Sequence, residues 1–318
     1  MKRRIVSIGI LLFFILYGCN PVRNKITIGY VQITQDPVLD SAKAGLFHAL
    51  ADSGFVDGKN IRVLNNNAQG DLSMINTILQ SFISQNVDMV ITNSTPCMAA
   101  AAQSVRNTPV VFTVAFSPEQ IGMKSVPANL YGIFDPLKAD EFVDLLIECI
   151  PGLKRVGIPF NNSEPNAEYS VKVLRTALEI RGVELVTASV TSVNDLLMAG
   201  QYLSGQKIDA LVAAADNTVY LGLPVLAKLA TEKKIPLFVT DPLQTEKGAA
   251  VGYGVDYSMW GYQSGLKAVE ILKGRNQVMS HIEPILNYEL TINRQACLNQ
   301  GIEIPQKVTD RASRILNQ

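Results

Sequence analysis

Six polar stretches stand directly after apolar runs in this 318-residue chain, and their residue types suit the capture of a small zwitterion. In the first half they are Thr34-Gln35-Asp36, Asn93-Ser94-Thr95-Pro96 and Ala115-Phe116-Ser117. In the second half they are Asn161-Asn162-Ser163-Glu164, Asp216-Asn217-Thr218 and Thr240-Asp241-Pro242. The first set offers hydroxyls and amides; the second adds the carboxylates Glu164, Asp216 and Asp241. Donors suit a carboxylate and acceptors suit an ammonium, so this asymmetry fits a molecule such as an amino acid. Ser94 and Thr95, where a helix is expected to begin, are the expected site of the ligand carboxylate, because free backbone N–H groups and the positive dipole end add to the hydroxyls. Asp216 and Asp241 are expected to take the ammonium through charge-assisted hydrogen bonds. Phe116 is expected to stack on an apolar or aromatic ligand side chain, with a core role as its alternative. Gln35, Asn162, Glu164 and Asn217 complete the expected set. Ser, Thr, Asp and Asn before a helix are also natural N-caps, each worth about 1 kcal/mol, so capping competes with binding at these positions. Tyr30, Tyr253 and Trp260 are weaker candidates for such contacts and read first as packing residues.

Other chemistry finds little support. The histidines are His48 and His281, and neither sits in a metal or hydrolase motif. Cys97, Cys149 and Cys297 show no CxxC spacing, so the expectation is three buried free thiols, no metal and no cofactor. Cys97 beside a cleft would suit a cofactor-independent amino-acid racemase, but Asp216-Asn217-Thr218 in the later half offers no facing thiol, and the chain is expected not to be an enzyme. Lys+Arg and Asp+Glu both number 28, so no excess charge invites nucleic acid or an anionic bilayer. A phosphate-binding G-x-x-x-x-G-K-[ST] loop is also missing from the sequence.

The stretches gain meaning from the elements that must hold them. Short β-branched runs alternate with helical-period segments, the pattern of a parallel sheet covered on both faces. Strands are expected at Ile26–Val31, Ile61–Leu64, Asp88–Thr92 and Pro109–Val114, and again at Arg155–Pro159, Glu184–Val190, Asp209–Ala214 and Pro236–Thr240. Helices lie between them, including Ala167–Arg181 and a single helix over Val219–Lys233. The order of the first half recurs after about 125 residues, far longer than a solenoid period of about 20–50. The expected fold is therefore α/β, two Rossmann-like lobes joined by a multi-strand hinge, with polar loops facing across a cleft. Crossings are expected at Gly122–Pro136, Tyr253–Tyr257 and Ile285–Tyr288. They divide the chain into residues 25–134 plus 256–285 and residues 135–255 plus 286–318.

Residues 1–19 read as a lipoprotein signal peptide. Lys2, Arg3 and Arg4 precede an apolar run from Ile5 to Tyr17, nearer the roughly 7–15 residues of a signal core than the roughly 20 of a spanning helix. Leu16-Tyr17-Gly18-Cys19 resembles a lipobox, in which Cys19 is acylated and becomes the mature N-terminus; an ordinary cleaved signal peptide is the alternative. The expectation is a cell-envelope protein, lipid-anchored to a membrane and facing the periplasm or exterior.

Ile28-Gly-Tyr30, Gly54-Phe-Val-Asp-Gly-Lys-Asn60, Asn67-Ala-Gln-Gly-Asp71, Asn162-Ser-Glu-Pro-Asn166, Asp216-Asn-Thr-Val219, Lys247-Gly-Ala249, Gly254-Val-Asp-Tyr257 and Gly301-Ile-Glu-Ile-Pro305 carry a resemblance. The chain resembles the ABC-transporter substrate-binding proteins of the tryptophan/tyrosine-binding type. That resemblance implies a type I periplasmic-binding-protein fold that closes on a small ligand, an aromatic amino acid above all, as a monomer. It further implies delivery to an ABC permease and its ATPase. A sensory receptor of the same fold is the alternative.

Overall fold

The computed structural model describes residues 25–274 and 281–317, so the expected leader and its Cys19 lie outside the described residues. The first half opens with β1 (Ile26–Gln32), α1 (Pro37–Asp52), β2 (Ile61–Asn67), α2 (Leu72–Ser84), β3 (Met89–Asn93), α3 (Thr95–Ser104), β4 (Val110–Ala115) and β5 (Leu130–Phe134). The local causes are plain. The Asp36 carboxylate accepts from Val38 N at 2.9 Å and Pro37 sets the first turn of α1. Val38, Leu39, Ala42, Leu46, Ala49 and Leu50 then recur at helical spacing on its buried face. All five residues of β3 are buried, as a strand covered on both faces must be.

The chain then enters the second lobe with α4 (Ala139–Cys149), β6 (Arg155–Phe160), α5 (Pro165–Ile180), β7 (Glu184–Ser189), α6 (Leu196–Gly205), β8 (Ala210–Ala213), α7 (Asn217–Leu221), α8 (Leu223–Lys233), β9 (Leu237–Val239) and β10 (Val251–Val255). It returns for α9 (Tyr257–Leu272) and β11 (Ile282–Pro284), and ends in the second lobe with β12 (Tyr288–Asn293), α10 (Arg294–Gln300), α11 (Gln306–Thr309) and β13 (Arg314–Leu316). The first sheet has the order β11-β5-β4-β3-β1-β2 and the second β13-β12-β10-β9-β8-β6-β7. Five strands of each sheet thus repeat one winding. The first sheet's pairings are parallel, and β12 runs antiparallel to β10 in the second.

The expected crossing at Gly122–Pro136 contains β5, a full member of the first sheet between β4 and β11, and the chain leaves that sheet after Phe134. The helix expected over Val219–Lys233 is broken at Gly222 into α7 and α8. Pro224 has no N–H to give to the carbonyl of Tyr220 four residues earlier, and that oxygen instead accepts from Lys247 Nζ at 3.1 Å.

Helix α9 lies against α1 with almost no side chain between them. A Cβ placed on Gly261 would stand 1.8 Å from the carbonyl oxygen of Ala42, and one on Gly45 would stand 2.1 Å from that of Ser258. Only glycine permits this approach. Among the described residues, no helix is long and apolar enough to cross a membrane.

Candidate functional site

A cavity lies between the two lobes, at the carboxyl ends of their strands, with about 540 Å³ of free space, part of it open to solvent. The first lobe contributes Thr34, Asp36, Ser94, Thr95 and Phe116; the second contributes Asn166, Asp216, Asn217 and Tyr220. Asp135, Tyr257 and Trp260, beside the crossings, complete its wall. No Lys, Arg or His is among the lining residues, whereas four aromatic rings are.

On the first lobe, Ser94 stands at the N-cap of α3 with φ +112° and makes no capping bond to the helix. It is 2% exposed, and its hydroxyl, beside the Cys97 thiol, meets no hydrogen-bond partner of good geometry among the described residues. Thr95 Oγ1 accepts from Phe116 N at 3.2 Å, which ties this helix start to the end of β4. There the register with β5 slips between Phe112 and Ala115, and Val114 takes φ +50°. A β-branched residue is strained in that conformation, and the bulge turns Ala115 and Phe116 toward the cleft. Two strained positions therefore border one cavity. The ring of Phe116 meets that of Tyr169 from the second lobe, with centroids 4.8 Å apart.

The second lobe is finished differently. Asp216 caps α7 by accepting from Val219 N at 2.9 Å and also accepts from Asn161 N at 2.6 Å. Burial, reinforced by the nearby Glu164, holds its carboxyl well above the usual range. Glu164 occupies the N-terminus of α7. It accepts from the backbone N–H groups of Asn217 and Thr218, both at 3.0 Å, from the Asn217 amide at 2.5 Å and from the Thr218 hydroxyl at 2.7 Å. The Asn166 amide adds a fifth bond at 3.1 Å.

Three further groups set the electrostatics. Asp36 receives Lys247, reaching over from the second lobe, so an ion pair bridges the cleft. Asp135 accepts from Leu137 N at 2.7 Å and from the Tyr288 hydroxyl, and burial pushes it up to about 6. Asp241 is fully buried away from the cavity. It accepts from Leu243 N at 2.9 Å and Gln244 Nε2 at 3.1 Å, and burial pushes it up to about 7.

Of the residues expected from sequence, the cavity gathers Ser94, Thr95, Phe116, Asp216 and Asn217. Glu164 lines an adjoining groove that shares Thr34 and Asn217 with the cavity. Asp241 lines neither. Gln35 is exposed beside a separate polar hollow with Asp40 and Lys43, and Asn162 is exposed at the turn before α5. Sequence reasoning missed Asp36, Asp135, Asn166, Tyr220 and Tyr257 as lining residues. Asp36 and Asn166 stood inside stretches already singled out, whereas Tyr257 and Trp260 become neighbours of the cleft only through the chain crossing. Trp260 is also anchored, its indole N–H donating to the carbonyl of Ile133 at 2.7 Å. Among the described residues no group of His, Cys, Asp and Glu is placed to hold a metal ion, and Cys97, Cys149 and Cys297 are buried free thiols pushed up to about 12 by burial.

Comparison with known proteins agrees with this geometry. The chain is 31% identical to a tyrosine-binding protein of Clostridioides difficile (strain R20291) over 270 residues, 84% of this chain and 78% of that protein. Its fold matches the ABC domain in complex with L-Trp from Streptococcus pneumoniae with a TM-score of 0.85 at 24% identity, covering 92% of this chain and 100% of that one. It also matches the ligand-free, open structure of a substrate binding protein with adhesive properties from Clostridium difficile, with a TM-score of 0.68 at 29% identity and coverage of 92% and 99%. The two lobes with their repeated winding are the type I periplasmic-binding-protein architecture. The family of ABC transporter substrate binding proteins matches residues 27–316, nearly the whole of the described structure, and the chain belongs to that family.

Proposed function

We propose that this protein captures an aromatic amino acid between its two lobes and hands it to a membrane permease driven by an ATPase, tethered beside that permease by lipid on Cys19. The observation that carries the ligand class is the uncapped start of α3. Ser94, whose buried hydroxyl meets no hydrogen-bond partner of good geometry among the described residues, and Thr95 line a cavity walled by Phe116, Tyr220, Tyr257 and Trp260. A ligand carboxylate fits the donors, and a flat side chain fits the rings. The cavity holds carboxylates and no basic side chain, which disfavours a ligand that is purely anionic. The names of the tyrosine-binding relative and of the L-Trp complex support the same class.

Capture works by population shift. A ligand that touches both lobes only when they meet favours the closed form by its differential affinity. Contacts between the lobes support a closed arrangement here: Lys247 with Asp36, Phe116 with Tyr169, and Gln120 Nε2 donating to the Tyr169 hydroxyl at 2.9 Å. A thermal-shift screen of the twenty amino acids tests the proposal. Tryptophan, tyrosine or phenylalanine at 100 times its dissociation constant is expected to add about 2.7 kcal/mol of stability, and flat curves across these three would overturn the ligand class. Cys19→Ser is expected to abolish partitioning into detergent, and unchanged partitioning would overturn the tether.

A further inference from the structure

Two residues of the cavity wall each carry a buried polar atom with no hydrogen-bond partner of good geometry among the described residues: Ser94 Oγ on the first lobe and Asn166 Oδ1 on the second. The Asn166 amide cannot be turned over. Its Nδ2 donates to the carbonyl of Ala215 at 2.9 Å and to Glu164 Oε2 at 3.1 Å, both acceptors, so the opposite orientation would set oxygen against oxygen twice. Its oxygen is thereby fixed as a free acceptor on a residue only 6% exposed. Two of the cavity's carboxylates, by contrast, have both oxygens committed within the protein, Asp216 to Asn161 and Val219 and Asp36 to Val38 and Lys247, while Asp135 accepts from Leu137 and Tyr288 through Oδ1.

We infer that Asn166 is a specificity-determining residue whose Oδ1 accepts a hydrogen bond from the α-ammonium of the ligand, opposite the carboxylate held at Ser94 and the start of α3. The inference rests on the amino-acid reading of the cavity and assigns a residue to the end of the ligand that the reading leaves open. The chemistry favours an amide here. A neutral acceptor receives the ammonium N–H without burying a further carboxylate. A ligand lacking the amino group would leave Oδ1 buried and unpaired, which penalises it strongly. The residue thus separates amino acids from otherwise identical carboxylic acids.

The test is calorimetric titration of wild type and Asn166→Ala with L-tryptophan and L-tyrosine and with their des-amino analogues, 3-(indol-3-yl)propanoate and 3-(4-hydroxyphenyl)propanoate. Asn166→Ala is expected to weaken the amino acids roughly tenfold or more and the analogues less than about threefold. Losing the Nδ2 brace on Ala215 and Glu164 acts on both ligands alike, so an equal loss for both, or no loss, overturns the inference. Should Asn166→Ala fail to fold, Asn166→Gln retains an amide with its oxygen displaced, and the same ratio decides. Wild type that binds analogues as tightly as amino acids overturns the role of Asn166 and leaves aromatic capture standing. Wild type that instead binds a non-aromatic amino acid removes the aromatic reading, and the same ratio on that acid and its analogue then decides for Asn166. Wild type that binds none of the twenty overturns both.

Discussion

Helices α3 and α7 begin at equivalent places, after the third strand of their respective lobes, yet one start is left open and the other is filled from within. At α3 the N-cap Ser94 makes no capping bond, and its hydroxyl meets no partner of good geometry among the described residues. At α7 the first N–H groups are taken by Asp216 and by both oxygens of Glu164. A helix N-terminus attracts a carboxylate in either case. The second lobe supplies its own; in the proposed function, the first leaves the position for the ligand. The difference teaches that composition around a cleft does not identify the contact surface; unmet hydrogen-bonding capacity does.

If that contrast is right, the same kind of substitution has opposite consequences on the two sides. The largest effect is expected at Glu164. Glu164→Ala strips five hydrogen bonds from a buried carboxylate site and strands the N–H groups of Asn217 and Thr218, costing about 3 kcal/mol of stability by urea denaturation of the empty protein. A variant as stable as wild type would break the comparison. Next comes Asp241, the other self-satisfied carboxylate of the second lobe. Its carboxyl titrates near 7 when folded, against about 3.9 in an unfolded chain. The folded form holds the proton more tightly, so the associated stability is complete below about pH 4 and is lost as pH rises through about 7. Between pH 5 and pH 8 wild type is expected to lose about 2 kcal/mol more than Asp241→Asn. Identical pH profiles for the two proteins would remove Asp241 from this account. The smallest effect belongs to the open side. Ser94→Ala is expected to change the stability of the empty protein by less than about 0.5 kcal/mol while weakening the amino-acid ligand about tenfold. A loss of stability at unchanged affinity would make Ser94 a structural residue and reverse the assignment of the two helix starts.

The alternating winding and the polar strand ends were legible from the chain, because a run of buried β-branched residues followed by Ser, Thr, Asp or Asn has few other physical meanings. Ser94 and Thr95 were legible for that reason. What sequence could not show is which of these groups is already engaged. Glu164 and Asp216 look like ready acceptors in the chain. Four of the five bonds to Glu164 come from residues 53 and 54 positions away, and one partner of Asp216 stands 55 residues away. Of the aromatic wall, Phe116 was legible and Trp260 only weakly so, whereas Tyr220 and Tyr257 were not. Tyr257 and Trp260 open a helix that packs on the first lobe, and only the return of the chain from β10 brings them to the cleft. The break at Gly222 was readable in principle from Pro224, whose missing donor forbids a continuous helix.

The glycine seam between α1 and α9 bears on how such a site can change over evolutionary time. Helix α1 brings Asp36, Val38 and Leu39 to the cavity, and α9 brings Tyr257 and Trp260. With the Gly261 position in contact with the Ala42 carbonyl and the Gly45 position in contact with that of Ser258, the two helices cannot slide without a clash or separate without opening a void. This part of the binding wall is thus inherited as a block. Retuning toward a new ligand has to proceed through side chains the seam does not hold, such as Phe116, Asn166 and Tyr220.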